Sequence, residues 1–331
     1  MFNGSEIMKV SEIRTELKKY NSKELENIII ELYQRIPKRK KEEHNIDLLI
    51  KDVNYKKKEK LKEENLGFDE LQKEMKYFFS CVDEGLYSSP NNTISKSERS
   101  GYRFKVKKYY KKLCEIDGNS PDFEYATNLL IELYKRLSKG SNYLLFANWE
   151  TFRALGVEQV DFLEIIVKRL LYKEVNEDRL KRCIDVLNNP KDPYGCCYDY
   201  FYRRFAHLIK DSESRKISVK LLNDIIIENK SNLNGLGKYD RKRYNIEETI
   251  NHNIICLINL CFDNNDYDEG ISYFHKNYIR SNSEVKEYIL LEELYERELY
   301  EYWIKEYESN KKIKYRESLV SQYNELKKKY K

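Results

Sequence analysis

The stretch Pro121–Leu137, PDFEYATNLLIELYKRL, shows the pattern that decides the fold. Its apolar residues recur at spacings of three and four, which places them on one face of an α-helix. Asp122 supplies a side-chain oxygen for the unbonded amide groups at a helix start, and Pro121 precedes it. The sequence therefore predicts an amphipathic helix that begins at this point.

The same spacing continues along nearly the whole chain, for example at Ile13, Leu17 and Tyr20. Prolines and glycines, such as Pro37 and Gly140, fall between the periodic segments. Strict alternation of apolar and polar residues, which is typical of strands, is nearly absent. We therefore predict an all-α fold of antiparallel helix pairs, which form either a helical-repeat-like array or two packed helical bundles.

The periodic segments and their breaks predict where the individual helices lie. Helices are expected near residues 9–20, 22–35, 43–52, 66–86, 97–116, 122–138, 158–173, 176–188, 194–209, 214–229, 245–264, 267–279, 283–308 and 312–329. Leu257, Gly270 and Phe274 have the spacing of packing positions in a tetratricopeptide hairpin, so a helical hairpin is expected there.

The loops between these helices predict the domain organisation. The polar run Ser88–Thr93 has the composition of a hinge, so we predict an N-terminal helical module over residues 1–90 and a larger helical body over 91–331. The loop at 231–243 is a second candidate boundary within the body.

Composition indicates an ordered protein without a membrane span. Of 331 residues, 40% are hydrophobic, 35% are charged and only five are proline. The longest nearly apolar stretch, Ile254–Phe262, is shorter than the ~20 residues that cross a bilayer. The seven cysteines are odd in number and scattered, which favours reduced thiols, and the N-terminus lacks the features of a signal peptide. A cytoplasmic protein with no membrane partner is expected.

The net charge of +5 arises entirely within residues 1–120. The segment Lys96–Lys112, called the basic segment below, contains eight basic residues and one acidic residue. Its basic side chains can neutralise phosphates and its aromatic side chains can stack on bases. The candidate polyanion-binding residues are Arg99, Arg103, Lys105, Lys107, Lys108, Lys111 and Lys112. The other interpretation is an ordinary amphipathic helix with aromatic residues in the core and lysines in solvent.

Part of the chain resembles an uncharacterised family of bacterial all-helical proteins with no assigned function. The residues that carry this resemblance are Ser95–Lys107 (SKSERSGYRFKVK), Leu129–Tyr134 (LLIELY) and Phe152–Phe162 (FRALGVEQVDF), within about residues 95–174. The resemblance implies a helical fold and assigns no site residues.

No motif in the sequence predicts reaction chemistry. Glu248, His252 and Cys256 are four residues apart and can share a helix face, but neither CxxC nor HExxH occurs, and Cys256 lies among isoleucines as a core residue would. Dinucleotide-binding and phosphate-loop patterns are absent as well. We therefore expect no catalytic residue, no cofactor and no metal site.

Two functions stay open on this basis. The leading hypothesis is a non-enzymatic helical scaffold that binds a protein or peptide partner in a groove between its helices. The alternative is a nucleic-acid-associated protein that uses the basic segment, residues 96–112.

Overall fold

The structure is a computed structural model that describes residues 8–43, 46–54, 67–88, 93–146, 148–190, 198–310 and 312–330. All regular secondary structure within these residues is helical, and no strand occurs among them. The predicted all-α fold is therefore confirmed. The predicted hinge at 88–93 lies mostly outside the described residues.

The chain divides into two compact units, Met1–Gly67 and Phe68–Lys331. The first unit contains α1 (Val10–Leu17), α2 (Ser22–Arg35), α3 (Lys38–Glu43) and α4 (Ile46–Lys51). The side chain of Asn21 accepts hydrogen bonds from the amides of Lys23 and Glu24, which caps α2. Helix α3 packs against α4.

The second unit is called the body below. Its helices are α5 (Phe68–Asp83), α6 (Lys96–Ser100), α7 (Tyr102–Cys114), α8 (Phe123–Asn142), α9 (Thr151–Leu155), α10 (Gln159–Leu170), α11 (Glu177–Leu187), α12 (Tyr198–Leu208), α13 (Ser212–Asn232), α14 (Arg241–Asp263), α15 (Tyr267–Asn277), α16 (Ser283–Glu296), α17 (Tyr300–Ser309) and α18 (Glu317–Tyr330). The body begins at Phe68, upstream of the boundary expected near residue 90, because α5 packs against α8.

In the middle of the body, helices pack against the next helix in the chain or against the next helix but one. Helix α10 contacts α11 and α12, α11 contacts α13, and α12 contacts α14. Helix α14 also packs closely against α13 and α15. Such packing occurs both in helical-repeat-like arrays and in packed helical bundles, the two arrangements predicted from the sequence. The loop at 231–243 joins two of these tightly packed helices, α13 and α14.

Helix α14 forms the centre of this packing. The whole apolar run Ile254–Phe262 is buried within it. The predicted hairpin with α15 is present, and Gly270 permits it because a Cβ atom there would lie 2.8 Å from the ring of Phe262. None of the helices in the described part of the chain is both long enough and apolar enough to cross a membrane.

The predicted helices differ from the observed ones at several points, and single residues mark three of them. Gly140 lies inside α8, where a Cβ atom would come within 2.6 Å of the ring of Phe146, so close packing explains the glycine. The helix predicted over 97–116 is divided at Gly101. The helix predicted over 283–308 is also two helices, because Glu298 adopts a left-handed conformation (φ 58°) and the amide of Leu299 donates back to the carbonyl of Leu294.

Candidate functional site

The basic segment forms α6 and α7, and its cations fall into two groups. Arg103, Lys107 and Lys111 are exposed, whereas Arg99, Lys105, Lys108 and Lys112 are half-buried. The structure therefore does not present these seven side chains as one continuous exposed surface.

Several of these cations already have partners within the chain. The Nζ atom of Lys108 lies 3.0 Å from a carboxylate oxygen of Glu74. The Nζ atom of Lys105 donates to the hydroxyl of Tyr87 at 3.2 Å. These contacts hold both side chains, and the carboxylates of Glu74 and Glu98 offset the charges of Lys108 and Lys105, so the two lysines offer less to a polyanion.

The aromatic residues of the basic segment mostly serve the core. Tyr102 and Tyr109 are buried, and the ring of Tyr102 stacks on Phe146 at 4.5 Å. Burial raises the pKa of Tyr102 to about 12. Tyr110 packs edge-to-face on Phe162, so only Phe104, which is 67% exposed, offers an open ring face in α7.

The sequence motif at Glu248, His252 and Cys256 does not converge on a metal site. Cys256 is fully buried in the core, whereas Glu248 and His252 point to a cleft. The Nε2 atom of His252 lies 4.0 Å from a carboxylate oxygen of Glu248, and its ring stacks on Tyr202. Glu248 instead accepts a hydrogen bond of 2.6 Å from Arg280.

This cleft has a volume of about 760 Å³, within the range of ligand-binding pockets. It lies among the ends of α8 and α11, the first half of α14, and parts of α12 and α16. Tyrosine and asparagine dominate its walls, so we call it the tyrosine–asparagine cleft. These residues are Tyr143, Tyr202, Tyr244, Tyr278, Asn142, Asn188, Asn189 and Asn245.

The tyrosines divide into a cleft floor and a cleft rim. Tyr202 and Tyr278 are buried beneath the surface, where they support the wall. Tyr143 and Tyr244 are each 60% exposed, so their rings and hydroxyl groups are available to a ligand. A tyrosine offers both an apolar face and a polar tip, which suits recognition of another polypeptide.

The charges of the cleft are nearly balanced. Among its lining residues Arg280 pairs with Glu248, and His252 is the remaining titratable side chain besides tyrosine. A balanced lining gives little attraction to a phosphate backbone, which requires an excess of Lys and Arg. Neutral hydrogen bonding and ring contacts therefore dominate the chemistry of this cleft.

A second pocket, of about 430 Å³, is lined by three arginines, Arg203, Arg204 and Arg297. Each arginine is held by a carboxylate. Arg203 pairs with Glu293 at 2.8 Å, Arg204 with Glu164 at 2.6 Å, and Arg297 with Asp263 at 2.5 Å. Every guanidinium therefore has its own counter-charge, and the three ion pairs link helices α10, α12, α14 and α16.

Apart from Glu248 and His252, whose spacing is that of possible metal ligands, no residue of either pocket is identified from the sequence. Residues that line the tyrosine–asparagine cleft come from separate helices, and the longest contiguous run among them is Asn188–Pro190 at the end of α11. The exposed side chain of His207 lines the arginine pocket.

Comparison of the chain with protein-family models, with curated proteins and with solved structures finds no match.

Proposed function

We propose that this chain is a helical scaffold that binds an extended peptide segment of a partner protein in the tyrosine–asparagine cleft. The observation that carries the proposal is the composition of the cleft, in which exposed tyrosines and asparagine amides line about 760 Å³ with nearly balanced charge. The five cysteines in the described part of the chain are thiols, which agrees with a reducing compartment such as the cytoplasm.

The side chains of the cleft match the groups that a peptide offers. An asparagine amide carries both donors and an acceptor, as the peptide main chain does. Asn245 is exposed at the cleft, near the exposed ring of Tyr244. An amide of this kind can pair with a peptide main chain, while the tyrosine rings cover apolar side chains of the ligand.

The lining residues favour binding over reaction chemistry. The hydroxyl of Thr249 donates to the carbonyl of Asn245 at 2.9 Å, which is a bond within its own helix. The carboxylate of Glu248 lies 4.0 Å from His252, and Arg280 holds it. Neither arrangement provides a nucleophile with an adjacent base.

A random dodecapeptide library displayed on phage tests this proposal, with the purified full chain as bait. Peptides that are enriched are synthesised and titrated against the wild type and against Thr249→Trp, which fills the cleft wall. Thr15→Trp is the matched control, because the hydroxyl of Thr15 also donates to a carbonyl of its own helix but lies on exposed α1.

We expect Thr249→Trp to weaken binding at least tenfold and Thr15→Trp to leave it unchanged. The proposal fails if the library yields no enriched peptide, or if enriched peptides bind both variants as tightly as they bind the wild type.

One observation favours the alternative function. The exposed side chains Arg103, Phe104, Lys107 and Lys111 lie within one short helix, and the guanidinium of Arg103 lies 4.9 Å from the ring centre of Phe104. Binding of a single-stranded oligonucleotide by this face would weaken steeply between about 50 and 200 mM salt. Equal retention by Arg103→Ala and Lys107→Ala would exclude the basic segment as the binding site.

A further inference from the structure

A cluster of three ionisable side chains lies away from the tyrosine–asparagine cleft. It consists of His275 on α15, Glu287 on α16 and Glu306 on α17. The Nε2 atom of His275 lies 2.8 Å from a carboxylate oxygen of Glu306, and its Nδ1 atom lies 3.6 Å from a carboxylate oxygen of Glu287. One nitrogen and two carboxylate oxygens lie within 4.8 Å of one another.

Glu287 is the unusual member of this cluster. It is only 4% exposed, and although the side chain of Asn310 hydrogen-bonds the carboxylate, its Oε2 atom is buried without a hydrogen-bond partner. Burial raises the pKa of Glu287, because the ionised carboxylate has lost its hydration. An unpaired carboxylate oxygen in such a place costs free energy unless a cation or a donor satisfies it.

We propose that His275, Glu287 and Glu306 bind one divalent transition-metal ion, of the Zn²⁺ or Mn²⁺ type. One imidazole nitrogen with two carboxylate oxygens is a ligand set that these ions accept, and it leaves further coordination positions for water. A bound cation would also offset the repulsion between the two carboxylates and satisfy the free oxygen of Glu287.

The competing arrangement is a protonated imidazole held between two carboxylates. The hydrogen bond to Glu306 raises the pKa of His275, so a proton does compete for this position. That arrangement accounts for His275 and for one oxygen of Glu287, but it leaves the Oε2 atom of Glu287 unsatisfied. Metal binding would displace the proton from His275, so affinity should rise with pH.

The other charged and titratable groups around the cluster are bound to partners of their own or are neutral. The Nζ atom of Lys286 donates to the backbone carbonyl of His275 at 2.6 Å. Glu284 is held by Arg316 at 2.7 Å. Tyr315 lies near the two carboxylates, and burial raises its pKa, so its hydroxyl stays protonated.

Isothermal titration calorimetry tests the proposal. The full chain is freed of metal by EDTA and dialysis and is then titrated with ZnCl₂ and, separately, with MnCl₂. Glu287→Gln and Glu306→Gln remove one charge each and keep the side-chain shape. Glu296→Gln is the matched control, because Glu296 lies on the same helix α16 but is 56% exposed. Thermal unfolding of each variant without metal shows that the variants are folded.

We expect one ion per chain, with affinity reduced at least tenfold in Glu287→Gln and Glu306→Gln and unchanged in Glu296→Gln. Affinity of the wild type should fall between pH 8 and pH 6, and the metal should raise its unfolding temperature. The proposal is overturned if neither ion binds, or if both cluster variants bind as tightly as the wild type. Neither outcome bears on peptide binding in the cleft.

Discussion

Replacing Glu293 by alanine should destabilise the body more than replacing any exposed acid on the same helix. The side chain of Glu293 is 1% exposed and bonds Arg203 at 2.8–3.0 Å. It also accepts a hydrogen bond of 2.8 Å from Asn259, which is fully buried on α14. One carboxylate therefore holds α12, α14 and α16 together.

The expected loss follows from what the truncation leaves behind. Removing one partner of a buried ion pair costs about 3–5 kcal/mol, chiefly because the other charge stays buried. The side chain of Arg203 is 26% exposed and can be partly rehydrated, so we expect the lower end, about 3 kcal/mol. Asn259 keeps its second acceptor, the carbonyl of Ile255, which also limits the loss.

Urea unfolding followed by tryptophan fluorescence measures this loss. Trp303 is fully buried on α17, next to α16, whereas the second tryptophan, Trp149, is 47% exposed, so Trp303 reports on the body. The control Glu296→Ala removes an exposed acid 3.9 Å from the same Arg203 and should cost less than about 0.5 kcal/mol. A loss for Glu293→Ala within about 1 kcal/mol of that control would refute the reasoning.

Three further predictions concern packing, a buried hydroxyl and pH. Gly140→Ala should lower the free energy of unfolding by about 1–3 kcal/mol, because the added Cβ atom meets an aromatic ring. Gly237→Ala, which has open space around it, should be nearly neutral in the same urea assay. Equal effects would contradict the packing described. Tyr102→Phe should raise the urea midpoint, because the hydroxyl of Tyr102 is buried without a partner. Tyr109→Phe should lower the midpoint, because it removes a hydrogen bond to a carboxylate. The reverse order would refute these two hydroxyl environments. Because the folded-state pKa of His275 is raised, its contribution to stability is fully present below about pH 6.5 and is lost as pH rises through the folded pKa. In EDTA, the unfolding temperature of the wild type should therefore fall more between pH 6 and pH 9 than that of His275→Gln. Equal pH profiles for the two proteins would contradict this.

The sequence predicts the helices well because each helix records its own burial pattern. The helix expected over 22–35 is α2 (Ser22–Arg35), and the one expected over 267–279 is α15 (Tyr267–Asn277). At Gly140 and Glu298 the cause of the failed prediction lies in the folded structure and not in the apolar spacing. Glutamate rarely adopts the left-handed conformation of Glu298, so nothing in the local sequence marks the end of α16.

The extent of the first unit was harder to predict than the helices. The polar run at 88–93 has the composition of a hinge, but composition does not show which neighbour a helix packs against. The buried face of α5, with Met75 and Phe78, belongs to the body. The candidate boundary near residue 90 therefore lies after a helix that the body includes.

Candidate sites are the part that the sequence could not reveal. Sequence spacing finds ligands that share one helix face, as Glu248 and His252 do. The residues of the cluster, His275, Glu287 and Glu306, instead lie on three helices, so their spacing in the sequence does not predict it. The rim of the cleft, with Tyr143 beyond α8 and Tyr244 on α14, depends on tertiary packing in the same way.

Hydrogen–deuterium exchange of the full chain, with and without a library-selected peptide, tests the central claim most directly, because it maps where the peptide lies. Binding in the cleft predicts slower exchange in the first half of α14, around residues 241–252, and at the ends of α8 and α11. Slower exchange confined to the basic segment, residues 96–112, or no change at the cleft on peptide binding, would contradict it.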